Sequence, residues 1–159
     1  MITLDQVREL IRQGESLEIE FKRDADDTDL VEAVVCLANG AGGWLLIGVE
    51  DDGTIVGARP RHGAVTDTLR LASLIQSRTV PPVSVQVATL NVEGNAVIAL
   101  RTPRMDRPVA TSSGHFLRRG IGADGKPRCL PFYHHEMLSR GYYSACPGML
   151  SCAGGRDKR

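Results

Sequence analysis

The side chains best suited to chemistry in this 159-residue chain are carboxylates. The run Leu17-Glu18-Ile19-Glu20-Phe21-Lys22 alternates strictly, so an extended backbone puts Glu18, Glu20 and Lys22 on one face. Leu17, Ile19 and Phe21 then face a core. Glu15 stands just before this run, and Asp51-Asp52 follow the next apolar run, Trp44–Val49. If the two strands are neighbours, these carboxylates converge at one end of a sheet. Hard oxygen ligands at that density suit Mg²⁺ or Mn²⁺, which can activate water against a phosphodiester. The same residues equally describe a solvated strand face followed by an Asp-Asp-Gly turn. Residue types alone favour that plainer reading.

Other chemistries find less support. Ser16, Ser73, Ser77, Ser84, Ser112 and Ser113 lack a nucleophile-elbow context, and no His stands in a recognisable relation to them. Gly40-Ala41-Gly42-Gly43 follows a helical pattern and precedes a strand, the reverse of a phosphate-cradling loop. With no Gly-Lys-Ser/Thr either, ATP binding there is excluded. These glycines read as a helix stop and a tight entry into a strand. Cys36, Cys129, Cys146 and Cys152 form no C-x-x-C pair. Cys36 reads as a small core residue, and Cys129 near His134 and His135 as coincidence rather than a metal site.

Charge supplies a second candidate. The formal net charge is zero, yet residues 1–53 hold 13 acidic and 4 basic residues (−9), and residues 54–159 hold 6 and 15 (+9). Arg101, Arg104, Arg107, Arg118, Arg119, Lys126 and Arg128 fall at strand ends or in Gly/Pro-rich turns, within reach of a phosphate backbone. Two readings stand: a basic face for a polyanion, or two halves that neutralise each other across one fold. Charge alone slightly favours the second. With seven aromatic residues in all, electrostatic, shape-led binding fits better than a base-stacking platform.

The elements that must position these residues follow from periodicity. Thr3-Leu4-Asp5-Gln6 is a capping-box start, and Leu4, Val7, Leu10 and Ile11 continue at helical spacing to Gly14. After the alternating strand, Thr28 or Asp29 can cap a second helix that runs to Gly40. Trp44–Val49 reads as a central strand, and Asp51-Asp52-Gly53 turns it into a hairpin with Thr54–Gly57. A third helix is expected over Val65–Ser77, with Leu69, Leu71, Leu74 and Ile75 inward, stopped by Pro81-Pro82. Val83–Leu90 and Ala96–Leu100 form a second hairpin through Glu93-Gly94-Asn95. Pro108–Thr111 and Phe116–Arg119 are further strands, and Phe132–Ser139 a short helix. The expected fold class is α+β: a compact single domain with a mixed, largely antiparallel sheet and about three helices. Residues 1–140 make that domain, and 141–159 an irregular, mobile tail. No apolar run approaches the ~20 residues of a membrane span, and the charged start carries no secretory pattern, so a cytoplasmic protein without membrane contact is expected.

Three ordered motifs carry a family resemblance. Gly14-Glu15-Ser16-Leu17-Glu18-Ile19-Glu20-Phe21-Lys22, then Leu37-Ala38-Asn39-Gly40-Ala41-Gly42-Gly43, then Leu46-Ile47-Gly48-Val49-Glu50-Asp51-Asp52-Gly53 resembles the AlbA-like DNA-binding domain of the Schlafen type. That domain's form is G-E-x-x-x-x-E-F-K, then A-(F/L)-A-N-x-x-G-G, then a strand ending G-V-x-D-x-G. Roughly residues 10–120 are covered. The resemblance implies a nucleic-acid-binding module of transcriptional regulators, with DNA or RNA as partner, no cofactor, and pairing into a homodimer. It also implies an alternative. In related animal domains three carboxylates serve a metal-dependent endoribonuclease acting on structured RNA. By motif these fall on Glu15, Glu20 and Asp51, with Asp52 as a substitute. They would act as catalytic and metal-binding residues for Mg²⁺ or Mn²⁺, with Lys22 beside them touching a phosphate. The longer turn at Gly122–Arg128 departs from the family pattern.

Overall fold

Two reciprocal hydrogen bonds start the first helix. The Gln6 N–H donates to the Thr3 hydroxyl and the Thr3 N–H to the Gln6 side chain, completing the capping box of α1 (Leu4–Gln13). Gly14, at φ 80°, ends it. The structure is a computed structural model and describes residues 1–139. The tail expected over 141–159, with Cys146 and Cys152, lies outside the described residues.

Chain order then runs β1 (Ile19–Lys22), α2 (Asp27–Ala38), β2 (Gly43–Ile47), α3 (Thr68–Ser77), β3 (Thr79–Val80), β4 (Gln86–Val92), β5 (Asn95–Thr102), β6 (Ala110–Thr111), β7 (Leu117–Ile121), β8 (Pro127–Pro131) and α4 (His134–Ser139). The main sheet has strand order β1-β2-β5-β4, with β1 and β2 parallel and the other pairs antiparallel. β3 pairs with β6, and β7 with β8, as separate two-stranded ladders. This is the α+β domain the patterning implies. No helix among the described residues is long and apolar enough to cross a membrane.

The apolar run of β2 is explained by burial on both faces. Leu45 and Ile47 enter a core formed with α2 and α3, whereas Leu46 enters a second core with Phe21, Val97 and the Val7 and Leu10 face of α1. The Glu93-Gly94 connection between β4 and β5 has positive φ at both residues (53° and 86°), the backbone of a two-residue hairpin turn.

Several expectations are corrected. The cap of α2 is Asp26, whose carboxylate accepts from the Asp29 N–H, so the helix starts ahead of Thr28. Asp67 caps α3 in the same way, which delays that helix to Thr68. Leu69 then points outward and is 81% exposed, leaving Leu71 and Ile75 as the buried pair. Leu17 is 47% exposed because Ser16 turns back to Ile19, and the strand begins only there. The return limb after Asp51-Asp52-Gly53 pairs by a single bridge, Val49 to Ile55. The expected strand over Val83–Leu90 lies at Gln86–Val92. Strand β8 is a new element: the glycines and prolines around it resemble one long turn, but only Gly122–Lys126 turns.

Cys36 is more than core filler. Buried in α2, it is joined by a disulfide to the exposed Cys129 of β8, with 5.7 Å between their Cα atoms and a sequence separation of 93. Closing so long a loop restricts the unfolded chain. Reduction is therefore expected to cost about 2–4 kcal/mol of stability. A urea titration with and without a dithiol measures this, and Cys129→Ser should show the same loss without reductant. Equal midpoints in all three samples would mean the bond adds nothing.

Candidate functional site

Parallel pairing of β1 and β2 sets Lys22 opposite Ile47, and the Gly48 N–H donates to the Lys22 carbonyl at 2.8 Å. The two strands thus end together, and the chain beyond β2 carries Asp51 to the same place. Glu15, Glu20, Lys22 and Asp51 line one shallow depression of about 560 Å³, with Lys126 and Arg128 on its other side. Glu15 accepts from the Phe21 N–H at 3.0 Å, which bends the segment before β1 over the strand.

Glu20 is not a vacant ligand. One oxygen is ion-paired with Arg119, and the other lies 3.5 Å from the Lys22 ammonium. Among the described residues no three His, Cys, Asp or Glu side chains gather into a group that could hold a metal ion. A divalent cation beside Glu20 would sit against a buried guanidinium, so the residues as arranged do not fit a metal centre. Asp52 does not substitute, because its carboxylate accepts from the Thr54 N–H at 2.9 Å within the turn. Hydrogen bonds from the Thr54 side chain and then its amide hold the Asp52 carboxyl below the usual 3.8. Glu18 departs from Glu20 altogether. Its carbonyl accepts from Trp44 at 2.7 Å and the residue lines a second depression.

Arg119 is the residue that pattern reading places wrongly. It is 5% exposed, and its donors reach the Ser16 carbonyl at 3.0 and 3.2 Å, the Ile19 carbonyl at 3.0 Å and the Glu20 carboxylate. Burial pushes its pKa down, while the charge of Glu15 pulls it back up. A guanidinium so enclosed braces β7 against β1 and does not meet a phosphate. Arg118 is also committed, with two bonds of 2.9 and 2.6 Å to one oxygen of Glu136. Those bonds hold the Glu136 carboxyl below its usual range. Arg128 pairs with Asp124 across the β7–β8 turn.

The remaining cations are distributed unevenly. Among the described residues, each Lys and Arg lies within 4.0 Å of a carboxylate except Arg70, Arg101, Arg104, Arg107 and Lys126. Three of these five fall within seven residues, at the end of β5 and in the loop after it. Arg101 stands opposite Gln86 on one side and Trp44 on the other, and its guanidinium lies 5.7 Å from the Trp44 ring centre. Arg101, Arg104, Trp44, Gln86 and Glu18 line the second depression, about 390 Å³ in volume. Gly42 and Gly43 make it possible. A Cβ on Gly43 would stand 2.1 Å from the Glu18 carbonyl oxygen, and one on Gly42 2.7 Å from the Arg104 nitrogen. The glycine pair thus lets the segments carrying Glu18 and Arg104 close over the end of β2. That close approach is what the Gly42-Gly43 doublet could have signalled.

A family model described as Schlafen, AlbA_2 matches residues 15–124. Among solved structures, the DIP2311 protein from Corynebacterium diphtheriae superposes with a TM-score of 0.65 at 20% identity, over 90% of this chain. The chain spans 28% of that one. The N-terminal domain of a RecG-related protein from Nitrosomonas europaea gives a TM-score of 0.46 at 23% identity, covering 80% of this chain and 95% of that one. No curated protein sequence matches. At such identity the first likeness speaks for the fold alone.

Proposed function

This chain belongs to the Schlafen AlbA_2 family, which gives it a nucleic-acid-related role, and we propose that it binds DNA or RNA through Arg101, Arg104 and Arg107. One observation carries this reading: the arginines left without a carboxylate concentrate there, whereas those of β7 and β8 are spent within the fold. A cation already paired gives a phosphate little, since the new contact must displace the old one. An uncompensated cation releases bound counterions from the nucleic acid on contact, which is the main source of sequence-independent affinity. Lys126, across the molecule's other depression, adds a further free charge.

Anisotropy titrations across a salt series test this. Wild-type affinity should fall linearly on logarithmic axes, with a slope of about −0.7 to −0.9 per phosphate neutralised. The Arg101→Gln, Arg104→Gln, Arg107→Gln triple variant should flatten that slope by about two to three contacts' worth. Arg128→Gln should leave it nearly unchanged. A salt-independent wild type, or a triple variant that binds as the wild type does, would sink the assignment. Parallel titrations with DNA and RNA of one sequence decide between the two polymers.

A further inference from the structure

We infer that the depression bounded by Trp44, Gln86, Arg101 and Arg104 takes one unstacked nucleobase of a single strand, with the adjoining phosphate on Arg104; this rests on the nucleic-acid reading above. The cavity's 390 Å³ falls within the roughly 300–1,000 Å³ of small-ligand pockets. Arg101 is held over the Trp44 indole, 5.7 Å from its centre, and not by a carboxylate. A guanidinium steadied on an indole keeps its N–H edge, and its plane is a platform on which a base stacks.

The wall supplies what the edge of a base needs. Gln86 and Ser84 each offer a donor and an acceptor, and Glu18 accepts from an exocyclic amine. A base within an intact duplex is stacked on both faces and cannot enter, so the geometry selects a single strand or a frayed end. With few aromatic residues in the chain, one base is held here rather than a stacked row.

Trp44 is the chain's one tryptophan, so its emission reports directly on the pocket. The full chain is titrated with an oligodeoxycytidine of about eight nucleotides, an abasic oligomer of equal length, a duplex and cytidine monophosphate. Emission and anisotropy are read together. The oligodeoxycytidine should quench Trp44 on binding, and the abasic strand should bind more weakly without quenching. Arg101→Lys keeps the charge and loses the plane. It should weaken the base-bearing strand by roughly tenfold and the abasic strand several-fold less, since the charge is kept. Equal binding of abasic and base-bearing strands, preference for the duplex, or monophosphate binding as tight as the strand's would overturn the pocket while leaving nucleic-acid binding intact. Absence of binding to every polymer would overturn the preceding reading instead.

Discussion

Arg119→Met is expected to destabilise the domain by about 3–5 kcal/mol, the range for removing one partner of a buried ion pair. The methionine fills much of the same space, so the loss is electrostatic and not a cavity. It strands Glu20, whose side chain is 14% exposed, with only the Lys22 ammonium nearby. It also leaves the Ser16 and Ile19 carbonyls without the donors they receive from Arg119. Arg119→Lys should recover little, because one ammonium cannot reach two carbonyls and a carboxylate in a fixed plane. Arg118→Met, which breaks the pair between β7 and Glu136 of α4, with side chains 20% and 23% exposed, should cost distinctly less. Urea denaturation of the three variants at neutral pH makes the comparison. A loss under about 1 kcal/mol for Arg119→Met would show that this arginine is no brace.

The position of Arg119 also explains the lopsided charge of the chain. Its pair with Glu20 joins residues 99 apart, and Arg59 with Asp24, and Arg61 and Arg78 with Asp27, likewise bring the basic half onto the acidic half. Neutralisation across one fold is the larger part of the story, and the residue at 101–107 is what it leaves over. Local signals were fully legible: the Thr3 capping box, the Ile19–Lys22 alternation, the doubly buried β2. The convergence of Glu15, Glu20 and Asp51 on one depression also followed once β1 and β2 were taken as neighbours. Which arginines were already spent did not follow, because that depends on tertiary partners, from Glu136 for Arg118 to Glu20, 99 residues away, for Arg119. The same holds for Cys36 and Cys129. Strand β8 was hidden by Pro127 and Pro131, residues that a strand tolerates only where its ladder needs no N–H from them.

Asn39→Ala is the second substitution expected to cost about 3–5 kcal/mol, as three buried hydrogen bonds disappear at ~1–3 kcal/mol each and relaxation recovers part. Asn39 caps α2 and is fully buried. Its amide group donates to the Val109 carbonyl at 2.8 Å and the Leu117 carbonyl at 2.7 Å, and its carbonyl accepts from the Val109 N–H at 2.7 Å. One side chain thereby fastens the approach to β6 and the start of β7 to the end of a helix seventy residues earlier. That is the structural content of the motif Leu37 to Gly43: Gly42, at φ 79°, donates to the Leu37 carbonyl as the chain leaves the helix, and Asn39 holds the second half in place. Asn39→Asp separates shape from bonding. It keeps an acceptor for Val109 but loses both donations, and a buried carboxylate with few donors titrates above its unfolded value. A raised pKa gives stability below the unfolded value and loses it as pH rises through the folded one. Asn39→Asp should therefore lie nearest the wild type in mild acid and fall away toward neutral pH, whereas Asn39→Ala keeps a constant deficit. Hydrogen exchange at the Val109 amide reads the same loss locally. Wild-type protection there in the alanine variant would show that Asn39 fastens nothing.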